Sequence, residues 1–143
     1  DKLPFLLENL KNLEFENNFN QQINNLPENL IILKLGFSFN LSIDNLPQNL
    51  KIIELGFKFN KYIANLPSSI KKITLGNDYN KNFINLPIEL NELEIGRIYN
   101  KKINKLPPNV KSVKFINNPN YIYKKEIIKR FEKYIKITFV NHN

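Results

Sequence analysis

Apolar residues alternate with single variable residues in six short segments that recur every 20 residues along the chain. Leu33-x-Leu35 and Ile53-x-Leu55 are examples, and the others are Leu13-x-Phe15, Ile73-x-Leu75, Leu93-x-Ile95 and Val113-x-Phe115. Spacing with period two predicts short strands whose apolar side chains point inward. Twenty residues leave no room for a long helix between strands, so the strands should stack in parallel with right-handed connections.

The residues between these strands repeat in the same register. Counted from each Leu-Pro pair, the unit reads L-P-x-x-L-x-x-L-x-L-G-x-x-[FY]-N-x-x-[IF]-x-N. An unbroken period of this length indicates a solenoid, in which each coil buries its apolar face against its neighbours. We therefore predict a mainly β fold, a right-handed parallel β-solenoid with 20-residue coils that fills the 143-residue chain as a single domain.

The two ends of the chain depart from the repeat. Residues 1–25 form a divergent first unit, with Leu3-Pro4 out of register and Glu16 in place of glycine, whereas residues 26–120 are regular. Residues 121–134 have the spacing of an amphipathic helix, and 135–140 alternate like a strand. The apolar helix positions are Ile127, Ile128, Phe131 and Tyr134. We predict that residues 121–143 form a helix-strand cap over the core.

Three recurring residue types have structural interpretations. The glycine after each strand fits a sharp turn or a positive φ angle. The aromatic residues should form a packed internal spine; they are Phe19, Phe39, Phe59, Tyr79 and Tyr99. The asparagines that follow should bond the backbone of adjacent coils as an internal structural ladder; they are Asn20, Asn40, Asn60, Asn80, Asn100 and Asn120.

Positions that the core does not demand carry apolar residues in two consecutive units. We predict a partner-binding surface on the strand face and adjoining loops, formed by Ile32, Phe37, Leu41, Ile52, Phe57 and Tyr62. Clustered exposed apolar residues mark interaction sites more often than chance. The alternative interpretation is that Phe37 and Phe57 cover the strand edge or stack on each other.

The charges suggest two further surfaces. Glu14, Lys34, Glu54, Thr74, Glu94 and Lys114 should form a self-neutralising ladder on the strand face, or a charged strip that contacts a partner. A lysine stripe of Lys61, Lys81, Lys101 and Lys102 is a candidate anion-binding site. The net charge is +8, but nucleic acid is disfavoured as a partner because only Arg97 and Arg130 are arginines.

Residues suited to catalysis or metal binding are scarce. The chain has no cysteine, its glycines are isolated, and His142 is its one histidine. We predict no catalytic residue, no cofactor and no metal, and therefore no enzyme. No apolar run is long enough for a membrane span, so we expect a cytoplasmic protein that does not enter membranes. We expect a monomer or a fragment of a larger chain, the latter because the sequence begins at Asp1, without Met and already inside a repeat.

The repeat resembles that of the FNIP family, a leucine-rich-repeat-like group. LPENLIILKLGFSFNLSI and LPQNLKIIELGFKFNKYI carry the resemblance nearly letter for letter. It implies a solenoid of leucine-rich-repeat type and a protein-protein interaction role. FNIP proteins occur in amoebae and in giant viruses that infect them, so the compartment would be host cytoplasm if the chain is viral. Some carry an F-box, which implies substrate recognition for a ubiquitin ligase. A structural or assembly spacer is the alternative function.

Overall fold

Seven parallel strands form one sheet in a computed structural model of the protein, which describes residues 8–141. The strands are β1 (Asn12–Glu14), β2 (Ile32–Lys34), β3 (Ile52–Glu54), β4 (Lys72–Thr74), β5 (Glu92–Ile95), β6 (Ser112–Ile116) and β7 (Lys136–Val140). One helix, α1 (Lys124–Phe131), lies between β6 and β7. The unmatched Leu3-Pro4 pair and His142 lie outside the described residues.

The strands follow one another in chain order, and each is parallel to the next. From β1 to β6 each residue pairs with the one 20 positions later, as Leu33 pairs with Ile53. The second residue of each strand from β2 to β6 is apolar and 0–1% exposed, because alternate side chains point into the coil. These residues are Leu33, Ile53, Ile73, Leu93 and Val113. The predicted parallel solenoid is therefore confirmed.

Each regular coil closes through two tight turns. One follows the strand, where the amide of Phe39 donates to the carbonyl of Gly36 at 3.2 Å. The other follows the Leu-Pro pair, where the amide of Leu50 donates to the carbonyl of Pro47 at 3.2 Å. Between the turns the aromatic residues stack as predicted, with successive ring centroids 6.1–6.3 Å apart from Phe19 to Tyr99.

The glycines are required by close packing and not by backbone conformation. No described glycine has a positive φ angle. A Cβ atom built on Gly56 would instead lie 1.9 Å from the carbonyl oxygen of Gly36 in the preceding coil. A positive φ occurs at Asn25, Asn45 and Asn85, just before Leu-Pro pairs, and also at Asn117. Asparagine tolerates this conformation better than most side chains do.

The asparagine ladder is built from side-chain acceptors. Asn60 Oδ1 accepts the amide of Asn80 at 3.0 Å, and the same bond recurs from Asn20 to Asn100 at 2.9–3.0 Å. These residues are half-buried or exposed, so the ladder runs along a surface edge and not through the interior as expected. The sequence predicts the same role for Asn120, but within residues 8–141 the last ladder bond joins Asn80 and Asn100. Asn118 is buried instead and donates to the carbonyls of Gly96 and Tyr99.

A second set of side chains also bonds the preceding coil, and the sequence reasoning missed it. Asn49 Nδ2 donates to the carbonyl of Glu28 at 3.1 Å, and Asn29, Ser69 and Asn109 make the same contact in their coils. The recurrence of asparagine at 29, 49 and 109, each just before the buried apolar residue that follows the Leu-Pro turn, was the available signal.

The C-terminal helix and strand cover the last coil as predicted. Ile127 of α1 is buried, and Ile128 and Phe131 pack against the core. Tyr134 was assigned to the same face, but it is 77% exposed because the helix ends at Phe131. β7 pairs with β6 over five residues, which extends the sheet by one strand.

Candidate partner-binding surface

The residue after each glycine position occupies one edge of the solenoid, where the chain leaves the strand. We call these residues the turn row: Asn17, Phe37, Phe57, Asn77, Arg97 and Asn117. Backbone bonds keep consecutive members beside each other, as where the carbonyl of Phe57 accepts the amide of Asp78 at 2.9 Å. The identity of a turn-row side chain is free to vary because the residue lies outside the core.

Phe37 and Phe57 form a stacked aromatic pair in the turn row. Their ring centroids lie 4.6 Å apart with an angle of 19° between the ring planes. The two residues are nevertheless 43% and 38% exposed. Lys58 lies over the outer face of Phe37, with Nζ 5.7 Å from the ring centroid. Mutual stacking, the alternative interpretation, is therefore present, but it leaves a large apolar area facing solvent.

The remaining predicted contact residues do not form one continuous patch with this pair. Ile32 and Ile52 pair across β2 and β3 and are half-buried on the strand face. Leu41 packs against the core, so its size serves the fold. Tyr62 is 59% exposed, but it lies beside Lys81, whose Nζ is 5.5 Å from its ring centroid.

Ion pairs compensate the charges along the strand face. Lys34 lies 3.9 Å from Glu14 and 3.7 Å from Glu54, and Glu94 lies 3.2 Å from Lys72 and 3.3 Å from Lys114. Burial acts to raise the pKa of Glu94, but the bonds and charges of both lysines outweigh it, so the pKa is lowered. This face presents paired charges to a partner and no strong net field.

The lysine stripe is only partly available to an anion. Lys102 Nζ lies 2.6 Å from Glu126 of α1, so its charge is compensated. Lys81 covers Tyr62, and the backbone carbonyl of Lys101 accepts the hydroxyl of Tyr121. Lys61 is exposed. Three in-line lysines, at 61, 81 and 101, thus remain as a weak basic strip on the edge next to the asparagine ladder.

A polar hollow of about 590 Å³ opens at the C-terminal end of the turn row. Its lining combines Asn77, Arg97, Ile98 and Asn117 with Asn118, Pro119 and Asn120, which lie between β6 and α1, and with Asn141, which follows β7. Sequence reasoning missed it because Asn141 lies outside the 20-residue repeat and reaches this wall only through the pairing of β7 with β6. Within residues 8–141, no group of three or more histidine, cysteine or acidic residues is arranged to hold a metal ion.

Comparison with known families decides what kind of repeat this is. The family model described as FNIP Repeat matches residues 22–58 and 59–97, more than half of the chain. The chain belongs to the FNIP repeat family. The matched units include the aromatic pair and most of the asparagine ladder. FNIP repeats and solenoids of this kind are typically non-catalytic scaffolds.

The fold of this FNIP solenoid is similar to that of a solved repeat protein. It is similar to the crystal structure of CroV588, a circular LRR protein from the giant virus CroV, with 27% identity and a TM-score of 0.75. The match covers 95% of the FNIP chain and 21% of CroV588, so the chain spans about a fifth of that protein's length. Among proteins of curated function, none matches significantly. No helix within residues 8–141 has the length and apolar character of a membrane span.

Proposed function

We propose that this FNIP solenoid binds a protein partner along its strand face and turn row, with Phe37 and Phe57 as the anchor. The observation that carries the proposal is the exposed stacked pair itself. Other coils place asparagine or arginine at the same position, so the fold does not require phenylalanine there. Aromatic residues supply much of the binding energy at protein interfaces.

The strand face beside the pair supports this location. Ile32 and Ile52 lie at the start of β2 and β3, and the Lys34–Glu54 ion pair separates them from the two phenylalanines. A partner that covers both apolar pairs would bury the intervening ion pair, which is already compensated. Binding at this face therefore does not leave an uncompensated buried charge, which would be costly.

The test compares the double variant Phe37→Ser/Phe57→Ser with the wild type and with Ile88→Ser. Ile88 is 56% exposed on the Leu-Pro side of the coil, so its substitution removes exposed apolar area elsewhere. Candidate partners are purified on the wild type, identified by mass spectrometry and then measured directly by calorimetry. We expect the double variant to bind at least tenfold more weakly and Ile88→Ser to bind normally.

Thermal unfolding separates binding from folding in this test. Loss of the stacked contact should cost about 0.5–1.5 kcal/mol, so the double variant stays folded at 25 °C. If it binds normally while its melting temperature falls, the pair serves only the strand edge, and the assembly-spacer alternative gains support. If generic DNA binds with strong salt dependence and Lys61→Gln/Lys81→Gln/Lys101→Gln abolishes this, the anion-binding alternative is favoured.

A more specific form of the proposal is substrate recognition for a ubiquitin ligase. It rests on the resemblance to FNIP proteins that carry an F-box, because the solenoid itself presents no ligase chemistry. Recovery of ubiquitin-ligase subunits with the full-length protein, from cells of its natural host, would support it. Their absence from such preparations, while another partner is recovered, would remove it.

A further inference from the structure

Arg97 is the one cationic side chain in the lining of the polar hollow, and that lining contains no acidic residue. Within residues 8–141, no carboxylate lies within 4.0 Å of its guanidinium. Its backbone amide donates to Asn77 Oδ1 at 3.4 Å, which orients the neighbouring amide group. The hollow therefore combines an uncompensated positive charge with several asparagine amides.

The cations of the strand face and the second arginine differ from Arg97 in having carboxylate partners. Arg130, the second arginine, donates to the carbonyl of Asn104 and lies 4.0 Å from Glu126. On the strand face, Lys34, Lys72 and Lys114 all have carboxylate partners. Arg97 is exposed and open to an external anion.

We propose that the hollow is a carboxylate-binding subsite of the partner surface. A guanidinium presents two parallel N–H donors that match one planar carboxylate. Asn77, Asn120 and Asn141 line the same hollow, and their side-chain amides can donate to a bound peptide or accept its backbone amides. One arginine balances one carboxylate, whereas a phosphate group would leave close to one negative charge uncompensated.

The turn row fixes the distance between this subsite and the aromatic anchor. Phe57 and Arg97 are separated by two coils, which is about 10 Å at the spacing of neighbouring strands. A peptide in the polyproline II conformation advances about 3.1 Å per residue with three residues per turn, so residues i and i+3 lie on the same face and span about this distance. The partner segment that fits is a polyproline II peptide along the turn row, with a carboxylate three residues from a large apolar side chain. This part rests on the proposed function.

Short blocked peptides test the subsite on the full chain. The probes are acetyl-Trp-Ser-Ser-Asp-amide, its twin with Asn in place of Asp, and acetyl-Trp-Asp-Ser-Ser-amide, which has the wrong spacing. The protein contains no tryptophan, so the fluorescence of the peptide reports binding directly. We expect the Asp peptide to bind about tenfold more tightly than either other probe.

Substitutions at Arg97 assign that preference to one side chain. In Arg97→Gln the Asp and Asn peptides should bind equally, and Arg97→Lys should retain only part of the difference. Lys71→Gln, which removes an exposed cation outside the hollow, should leave it intact. If the tenfold preference survives in Arg97→Gln, or if the wrongly spaced peptide binds as well as the Asp peptide, the proposal is overturned.

Two further measurements separate this proposal from the proposed function. Equal binding of the Asp and Asn peptides to the wild type would overturn the subsite and leave the aromatic anchor standing. If no tryptophan peptide binds, but sodium acetate shifts the Arg97 side-chain NMR signal saturably at constant ionic strength, the subsite stands and the anchor fails. Binding of the phosphoserine twin more than tenfold tighter than the Asp peptide would overturn the choice of carboxylate.

Discussion

Tyr79 and Tyr99 should each be replaceable by phenylalanine with a gain in stability. Both rings are 0–1% exposed in the aromatic spine, yet neither hydroxyl has a hydrogen-bond partner within residues 8–141. A buried polar group without a partner costs about 1–3 kcal/mol, because folding removes its bonds to water. Phenylalanine keeps the ring and removes this cost.

The neighbouring coils show that phenylalanine fits the position. Phe39 and Phe59 occupy it with 0% exposure, and their stacking distance of 6.3 Å is close to the 6.2 Å between Tyr79 and Tyr99. For a domain of this size, a gain of about 1 kcal/mol corresponds to roughly 3–5 °C in melting temperature. We therefore expect Tyr79→Phe to raise the melting temperature by at least about 3 °C.

Tyr121→Phe is the matched control for this experiment. Tyr121 is also buried, but its hydroxyl donates to the carbonyl of Lys101 at 2.9 Å. Loss of that bond leaves a carbonyl with one bond fewer and should cost about 1 kcal/mol. Calorimetry on both variants should give shifts of opposite sign. If Tyr79→Phe lowers the melting temperature as much as Tyr121→Phe does, the reasoning is refuted.

Three further predictions concern pH and packing. Burial raises the pKa of Tyr79 and Tyr99, so stability is unaffected by their ionisation below the ordinary value of 10 and falls as pH rises above it, where the unfolded chain loses these protons. Between pH 10 and 11 the free energy of unfolding of the wild type, measured in urea, should fall by about 2 kcal/mol more than that of the Tyr79→Phe/Tyr99→Phe variant. Equal losses would contradict this. Gly56→Ala should lower the free energy of unfolding by about 3 kcal/mol, because the new Cβ would lie 1.9 Å from a backbone oxygen; an unchanged urea midpoint would show that the coils can separate easily. Glu94→Gln should lower the free energy of unfolding by about 1 kcal/mol at pH 7. Because the pKa of Glu94 is lowered in the folded protein, this difference should disappear as pH falls below the ordinary value of 4.5. A difference that persists at pH 3 would indicate a packing effect.

Most of the fold could be predicted because each coil repeats the same physical requirements. The inward strand residues, the aromatic spine and the ladder asparagines recur in register, so a local error in one coil is corrected by the others. The reason for the glycines could not be read in this way. From sequence, a recurring glycine can be explained either by a positive φ angle or by close packing against a neighbouring backbone. The carbonyl of Gly36, which lies against Gly56 in the structure, shows that close packing is the reason there.

The candidate site was less predictable because it depends on neighbours in space. Leu41 and Phe37 both look like variable apolar residues in the sequence, but one packs against the core and the other faces solvent. In the sequence Lys102 resembles the other lysines of the stripe, but in the structure Glu126 of α1 lies beside it and compensates its charge. The hollow at Arg97 includes Asn141, which follows β7, and no repeat register relates that residue to Arg97.

The bonds between coils also determine which changes in length the chain can tolerate. The ladder at Asn40, Asn60 and Asn80 and the second set at Asn29, Asn49 and Ser69 connect residues 20 or 21 positions apart. Insertion of one residue within a coil would displace one of these partners and the strand register with it. Duplication of a whole 20-residue unit would preserve these hydrogen bonds and the strand register between every pair of neighbouring coils. The solenoid can therefore lengthen only in steps of one coil, and each step adds one new turn-row side chain to the binding edge.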